Sequence, residues 1–181
     1  MTPGLPLVTD RLLIEPLTAA DAAGFAAYRS DPAVARYQSW DAPYPLAEAE
    51  RVLAANPAVW PPAGAWTQLA IREAGRLRGD VAVHAVDDRV MPATVEIGVT
   101  LAPDAQGRGV ATEAVRAVLD AAFAAGAHRV FAVCDARNEP VARLLARLGL
   151  RREARLVDAE WWKGEWTTAD TWAVLASERR P

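Results

Sequence analysis

The hexapeptide Gln106-Gly107-Arg108-Gly109-Val110-Ala111 constrains this chain more than any other stretch. Before it, Val95, Ile97, Val99 and Leu101 alternate as in a half-buried strand. After it, Val110, Ala111, Ala114, Val115, Val118 and Ala122 recur at helical spacing. A glycine turn between a strand and a helix leaves the first helical N–H groups without intrahelical partners, at the positive end of the dipole. Glycine carries no Cβ, so a phosphate can come close to the backbone. The loop is therefore a pyrophosphate cradle or a plain tight connection. It is not a P-loop, because no Gly-Lys-Ser/Thr follows, and it lacks the G-x-G-x-x-G spacing of a dinucleotide fold.

The rest of the chain is built around this unit. Residues 11–17 read as a strand, and Thr18 to Asp21 as a capping box that opens a helix bearing Ala22, Phe25, Ala26 and Arg29. Asp31-Pro32 ends that helix. Residues 36–45 form an aromatic loop, residues 46–55 a second helix, and Trp60 to Gly64 another loop. Residues 65–72 and 77–86 alternate as a hairpin about Glu73-Ala74-Gly75-Arg76. Val86 to Pro92 connects to a strand over 94–101. A long helix is expected over 108–125, closed by Gly126, then a strand over 128–134 and a helix over 138–148 stopped at Gly149. Two tail strands follow near 151–159 and 167–177. This order, with a right-handed strand–helix–strand crossover, implies an α/β fold: one mixed sheet with helices on both faces.

A length of 181 residues suits a single domain, 1–181, with a real core. No segment is long and apolar enough to span a membrane, and the start lacks a signal peptide, so a cytoplasmic protein is expected. The lone Cys134 excludes an intrachain disulfide and a cysteine-based metal cluster; it reads as core. His84 and His128 lack ligand spacing, so no metal is expected. A net charge of −3 speaks against general nucleic-acid binding, and mildly for a cationic or amine-bearing partner.

Four segments in order resemble the GCN5-related N-acetyltransferases (GNAT). Gln106-x-x-Gly109-x-Ala111 is similar to their Q/R-x-x-G-x-G/A signature. Asn138, Arg143-Leu144-Leu145 and Leu148-Gly149-Leu150 resemble their N-x-x-S-x-R-L-L-x-x-L-G-F segment. Leu7 to Leu17 is similar to the opening of the branch that holds the ribosomal-protein N-terminal acetyltransferases. Trp162-Lys163-Gly164-Glu165-Trp166 looks like that branch's final hairpin. The resemblance implies the GNAT acyl-CoA N-acyltransferase fold, a mostly antiparallel mixed sheet whose central strands splay around the cofactor. It implies acetyl-CoA as co-substrate, an amine acceptor, direct transfer in a ternary complex, and often a homodimer.

By that resemblance, the backbone near Val99, Thr100 and Leu101 pairs with the pantetheine arm. Gly98 eases the approach or marks a bulge. Gln106, Gly107, Arg108, Gly109, Val110, Ala111 and Thr112 hold the pyrophosphate, with Arg108 adding a charged contact or standing in solvent. Asn138 is an N-cap, a contact to the arm, or both. Arg143 reaches a CoA phosphate or forms a surface ion pair. For the general base, Glu160 precedes the aromatic hairpin, and Glu96 points opposite to the apolar set of its strand. Val141 and Leu145 stand where relatives carry a serine or a tyrosine that protonates the leaving thiolate, and neither can donate. Seven tryptophans cluster near the early loops and the tail. Trp40 and Trp162 are expected to line the acceptor pocket, which suits a cationic or ring-bearing acceptor. Three rivals stay open: another acyl group such as succinyl-CoA, a CoA-binding module without chemistry, and a nucleotide-binding module.

Overall fold

The computed structural model describes residues 4–58, 64–86, 91 and 93–179. Its strands are β1 (Leu7–Val8), β2 (Leu12–Pro16), β3 (Trp66–Glu73), β4 (Arg76–Val86), β5 (Thr94–Leu101), β6 (Arg129–Asp135), β7 (Arg151–Trp162) and β8 (Glu165–Leu175). Its helices are α1 (Ala22–Arg29), α2 (Pro32–Ala35), α3 (Leu46–Ala54), α4 (Val110–Ala124) and α5 (Glu139–Arg147). The eight strands form one sheet in the order β1-β2-β3-β4-β5-β6-β8-β7. Every neighbouring pair is antiparallel except β5–β6, which the crossover through α4 makes parallel.

Alternation along the strands supplies two cores. Leu69, Ile71, Val81, Val83, Val95 and Ile97 point to one face, where α4 and α5 cover them with Val110, Val115, Val118, Leu119, Leu144 and Leu145. Ala70 points to the other face, where Leu17, Phe25 and Tyr28 pack with Ala49 and Leu53 of α3. Each such buried Val, Leu or Phe stabilises the fold by roughly 1.5–3 kcal/mol. Both hairpin turns have two residues with positive φ, Ala74-Gly75 and Lys163-Gly164, the backbone that matches strand twist.

Several boundaries differ from the sequence reading. The long helix starts at Val110 rather than 108, because Gly109 has φ +79° and serves as its N-cap. Asp31-Pro32 does more than end α1: the Asp31 carboxylate accepts from Ala33 and Val34 N–H and starts α2 with proline in the first turn. Leu7–Val8 adds a short edge strand. The tail strands reach Trp162 and begin at Glu165, because β7 carries extra residues around Glu153 and Asp158 that a simple alternation does not reveal. The Trp60–Gly64 loop, apart from Gly64, and most of the 86–92 connection lie outside the described residues. No helix among the described residues is long and apolar enough to cross a membrane.

Candidate active site

The parallel pair β5–β6 is the weak seam of the sheet. Its register runs only from Thr94↔Arg129 to Glu96↔Phe131. Beyond that pair the strands part. Ile97 to Leu101 stays bonded to β4 on its other side, in unbroken register through Gly98, so no bulge interrupts β5 there. Apart from the Leu101 C=O, which accepts the Gln106 amide, one edge of β5 therefore offers bare N–H and C=O groups to a gap, as an added strand would need.

Two cavities open along the gap. The first, of about 600 Å³, is lined by Val99, Thr100 and Leu101, by Gln106, Gly107, Gly109, Val110, Ala111 and Thr112, and by Asn138 and Arg143. The expected cofactor residues thus converge, with one exception. The Arg108 guanidinium turns away, 3.2 Å from Glu73. Arg11 braces the loop from behind: its guanidinium donates to the Arg108 carbonyl and pairs with Glu113 at 2.7 Å. The Gln106 amide donates to Leu101 C=O at 3.2 Å and shapes the turn.

This cavity fits a pyrophosphate and its arm. The first α4 amides lack intrahelical partners, and the Glu113 N–H to Gly109 C=O bond (3.1 Å) comes only after them. Nothing lies within 4 Å of where a Cβ would stand on Gly107, and at Gly109 the nearest atom is Arg11 Nη2 at 3.6 Å. Asn138 caps α5, its Oδ1 accepting from Val141 N–H at 3.3 Å, while its NH2 has no protein partner among the described residues. Arg143 pairs with Glu139 at 3.0 Å on the exposed surface and still borders the cavity. Val141 borders it too, whereas Leu145 is buried in the core.

The second cavity, about 920 Å³, lies on the α1–α3 side. Trp40, Trp66 and Trp162 wall it, along with Glu96 and Glu160. Trp161 and Trp166 stack edge-on against each other at 5.3 Å on the exposed hairpin, and Trp172 packs against the core. Lys163 closes one end by donating to the Ala35 and Trp40 carbonyls, both at 2.7 Å. Tyr37, Gln38, Val99 and Thr100 wall both cavities and mark their junction.

Charge in this cleft is uneven. Asp80 is paired with Arg29, Glu48 with Arg51, Asp135 and Glu165 with Arg137, and Asp41 lies near Lys163. Among the lining carboxylates, Glu96 and Glu160 have no arginine or lysine partner among the described residues. Glu160 accepts the Trp162 indole N–H at 2.8 Å. Glu96 faces His84, and burial raises its proton affinity, partly offset by that imidazole. Cys134 is half-buried, packed against the main core and bordering the cleft. Burial and the carboxylates of Asp170 and Asp135 push its thiol up to about 11.

The floor is a buried ion pair. Arg29 lies between the rings of Phe25 and Trp40, 3.9 Å from each centre, and binds Asp80 at 3.2 Å. Tyr28 also donates to Asp80, and burial followed by that carboxylate raises its pKa well above the ordinary tyrosine value. Asp80→Asn leaves the guanidinium buried without a counter-charge. A loss of about 3–5 kcal/mol is expected, read as the urea midpoint of the two proteins.

Sequence reasoning missed Arg11, Tyr37 and His84 as parts of this site. Arg11 lay within a segment matched only as an opening motif. Tyr37 stood in an aromatic loop with no periodicity to aim it. His84 carries no signal in the sequence beyond a missing metal-ligand spacing; among the described residues no group of three or more His, Cys, Asp or Glu could hold a metal ion.

A family model described as an acetyltransferase (GNAT) domain matches residues 11–151, and the chain belongs to that family. An uncharacterized N-acetyltransferase of Bacillus subtilis, YnaD, is 34% identical over 86 residues, 47% of this chain. That match spans about half the length of the relative, 51%. An acetyltransferase of the GNAT family from Bacillus anthracis superposes with a TM-score of 0.84 at 24% identity, covering 96% of this chain and all of that one (100%). RimJ of Mycobacterium smegmatis, solved in complex with CoA-disulfide, superposes with a TM-score of 0.80 at 23% identity over 92% of this chain and 83% of that one. At these identities the two superpositions show the shared fold.

Proposed function

We propose that this chain is an acetyl-CoA-dependent N-acetyltransferase that moves the acetyl group directly onto a primary amine. The junction of the two cavities carries the reading. An arm lying along the β5 edge ends where Tyr37, Val99 and Thr100 also border the space for an acceptor. When bound, acetyl-CoA supplies the activated acyl group. The residues of this chain then bind, orient and move protons.

The amides of Gly107 to Thr112 and the α4 dipole hold the pyrophosphate. The bare edge at Val99 to Leu101 and the Asn138 NH2 hold the arm. Glu96 takes the ammonium proton: it stands where β5 and β6 part, and burial raises its proton affinity. Glu160 adds negative charge and fixes the Trp162 wall. These two carboxylates and three tryptophans suit a cationic acceptor. Cys134 stays a protonated thiol at neutral pH, which disfavours an acetyl-cysteine relay.

Tyr37 supplies the proton that Val141 and Leu145 cannot. It stands at the junction, and no hydrogen bond among the described residues engages its hydroxyl. Tyr37→Phe is expected to lower kcat about 10- to 100-fold and leave both KM values near wild type. Steady-state kinetics reads this, and an unchanged kcat removes Tyr37 from the chemistry.

The same reading makes this a cytoplasmic enzyme. The exposed Trp161–Trp166 pair is the surface a second copy would cover in a homodimer, an assembly that sedimentation equilibrium reads. The activity itself is tested by thiol release from acetyl-CoA across a panel of diamines, amino acids and peptides. Release that no amine accelerates would sink it.

A further inference from the structure

Three side chains, one per strand, form a row across the acceptor face. Trp66 on β3 stands opposite His84 on β4, and His84 stands opposite Glu96 on β5. The indole stacks on the imidazole with ring centres 5.1 Å apart and planes at 25°. Imidazole Nδ1 lies 3.9 Å from Glu96 Oε2 and is buried with no hydrogen-bond partner among the described residues. Trp66 and Glu96 belong to the cleft wall, and His84 sits between them. A ring stacked on one face and flanked along the strand keeps that nitrogen aimed at the carboxylate.

We propose that His84, clamped by Trp66, is a positioning residue for Glu96: its Nδ1 side holds the carboxylate toward the cleft and favours its ionised form. This rests on Glu96 as the base. The acceptor ammonium gives its proton to the Glu96 carboxylate, leaving a neutral amine and a carboxylic acid. The acid then returns that proton to solvent in the cleft, to which the Glu96 side chain is still 26% exposed. That restores the carboxylate beside His84. One bridging water or a small turn of the carboxylate spans 3.9 Å.

Most of the other carboxylates that line the same cavity are paired. Asp80 on β4 is held by Arg29, Glu48 on α3 by Arg51, and Asp135 on β6 by Arg137. Among the described residues, the Glu160 carboxylate on β7 carries only the Trp162 indole bond. His84 is the group that lowers the proton affinity that burial raises in Glu96.

The test is carbon-13 NMR of the glutamate carboxyls in the free protein, with Glu96→Gln assigning the signal, joined to the pH profile of kcat/KM. In His84→Gln the Glu96 titration midpoint is expected to rise by about half a pH unit or more. The acid limb of kcat/KM should move upward by the same amount, with kcat down several-fold and acetyl-CoA affinity unchanged. Trp66→Leu releases the ring without removing it. It should shift the midpoint the same way by less, and it covers the case in which His84→Gln does not fold. An unmoved midpoint in folded variants overturns the coupling. Full turnover by Glu96→Gln instead overturns the base on which the proposal rests, and leaves the NMR coupling intact, so the two failures are distinct.

Discussion

Glu96→Gln is expected to lower kcat/KM about 100- to 10,000-fold, the range a positioned general base contributes. The amide keeps the side chain's size and cannot take a proton. Acetyl-CoA affinity and the melting temperature should stay near wild type, because Glu96 borders the acceptor cleft and not the glycine loop. The wild-type pH profile follows from the same group. Its active form is the carboxylate, and burial raises its pKa. Activity is therefore lost as pH falls through a value above that of an ordinary glutamate, and is kept on the alkaline side. A profile that stays flat well into the acid range would assign the proton to another group. Glu160→Gln separates the two carboxylates: a several-fold rise in acceptor KM is expected there, with kcat largely retained.

Gly109→Trp should weaken acetyl-CoA binding by at least about 100-fold, as measured by calorimetry. Two physical causes add. At φ +79° any side chain is strained, by about 1–2 kcal/mol. The indole would also stand over the first α4 amides, the proposed seat of the pyrophosphate. The site of a Cβ on Gly109 meets only Arg11 Nη2 at 3.6 Å, an ordinary contact, so the first side-chain atom itself has room. Gly109→Ala shares the strain without the bulk and should lose far less. Equal losses in both variants would mean that backbone geometry, and not occupancy of the cradle, sets affinity.

Much of this arrangement is legible in the sequence, for local reasons. The alternation of Val95 to Leu101, the helical spacing after Gly109 and the glycines between them are short-range signals, and the structure places that unit as expected. The mixed sheet with helices on both faces follows from element order. Val99 to Leu101, the glycine loop, Asn138 and Arg143 line one cavity because the β5–α4–β6 crossover and α5 converge there. What escapes the sequence depends on contacts across the chain. Arg11 braces a loop about a hundred residues away, an ion pair no local pattern encodes. Arg108 lies in the loop yet turns to Glu73, because β3 brings that carboxylate behind it. His84 gains its meaning only from strand register, which sets it between Trp66 and Glu96. Tyr37 reaches the junction through a turn after α2 that carries no periodicity. The splay itself is invisible in sequence, since β5 and β6 look equally regular beyond the point where their pairing stops.

The account turns on one amine and one thioester meeting in a shared junction, with no covalent stop on the protein. The measurement that tests this most directly is initial-velocity kinetics with acetyl-CoA and an accepted amine varied together, joined to mass spectrometry of enzyme mixed with acetyl-CoA alone. Intersecting double-reciprocal lines and an unmodified protein are predicted. Parallel lines with an acetyl group on Cys134 would contradict direct transfer.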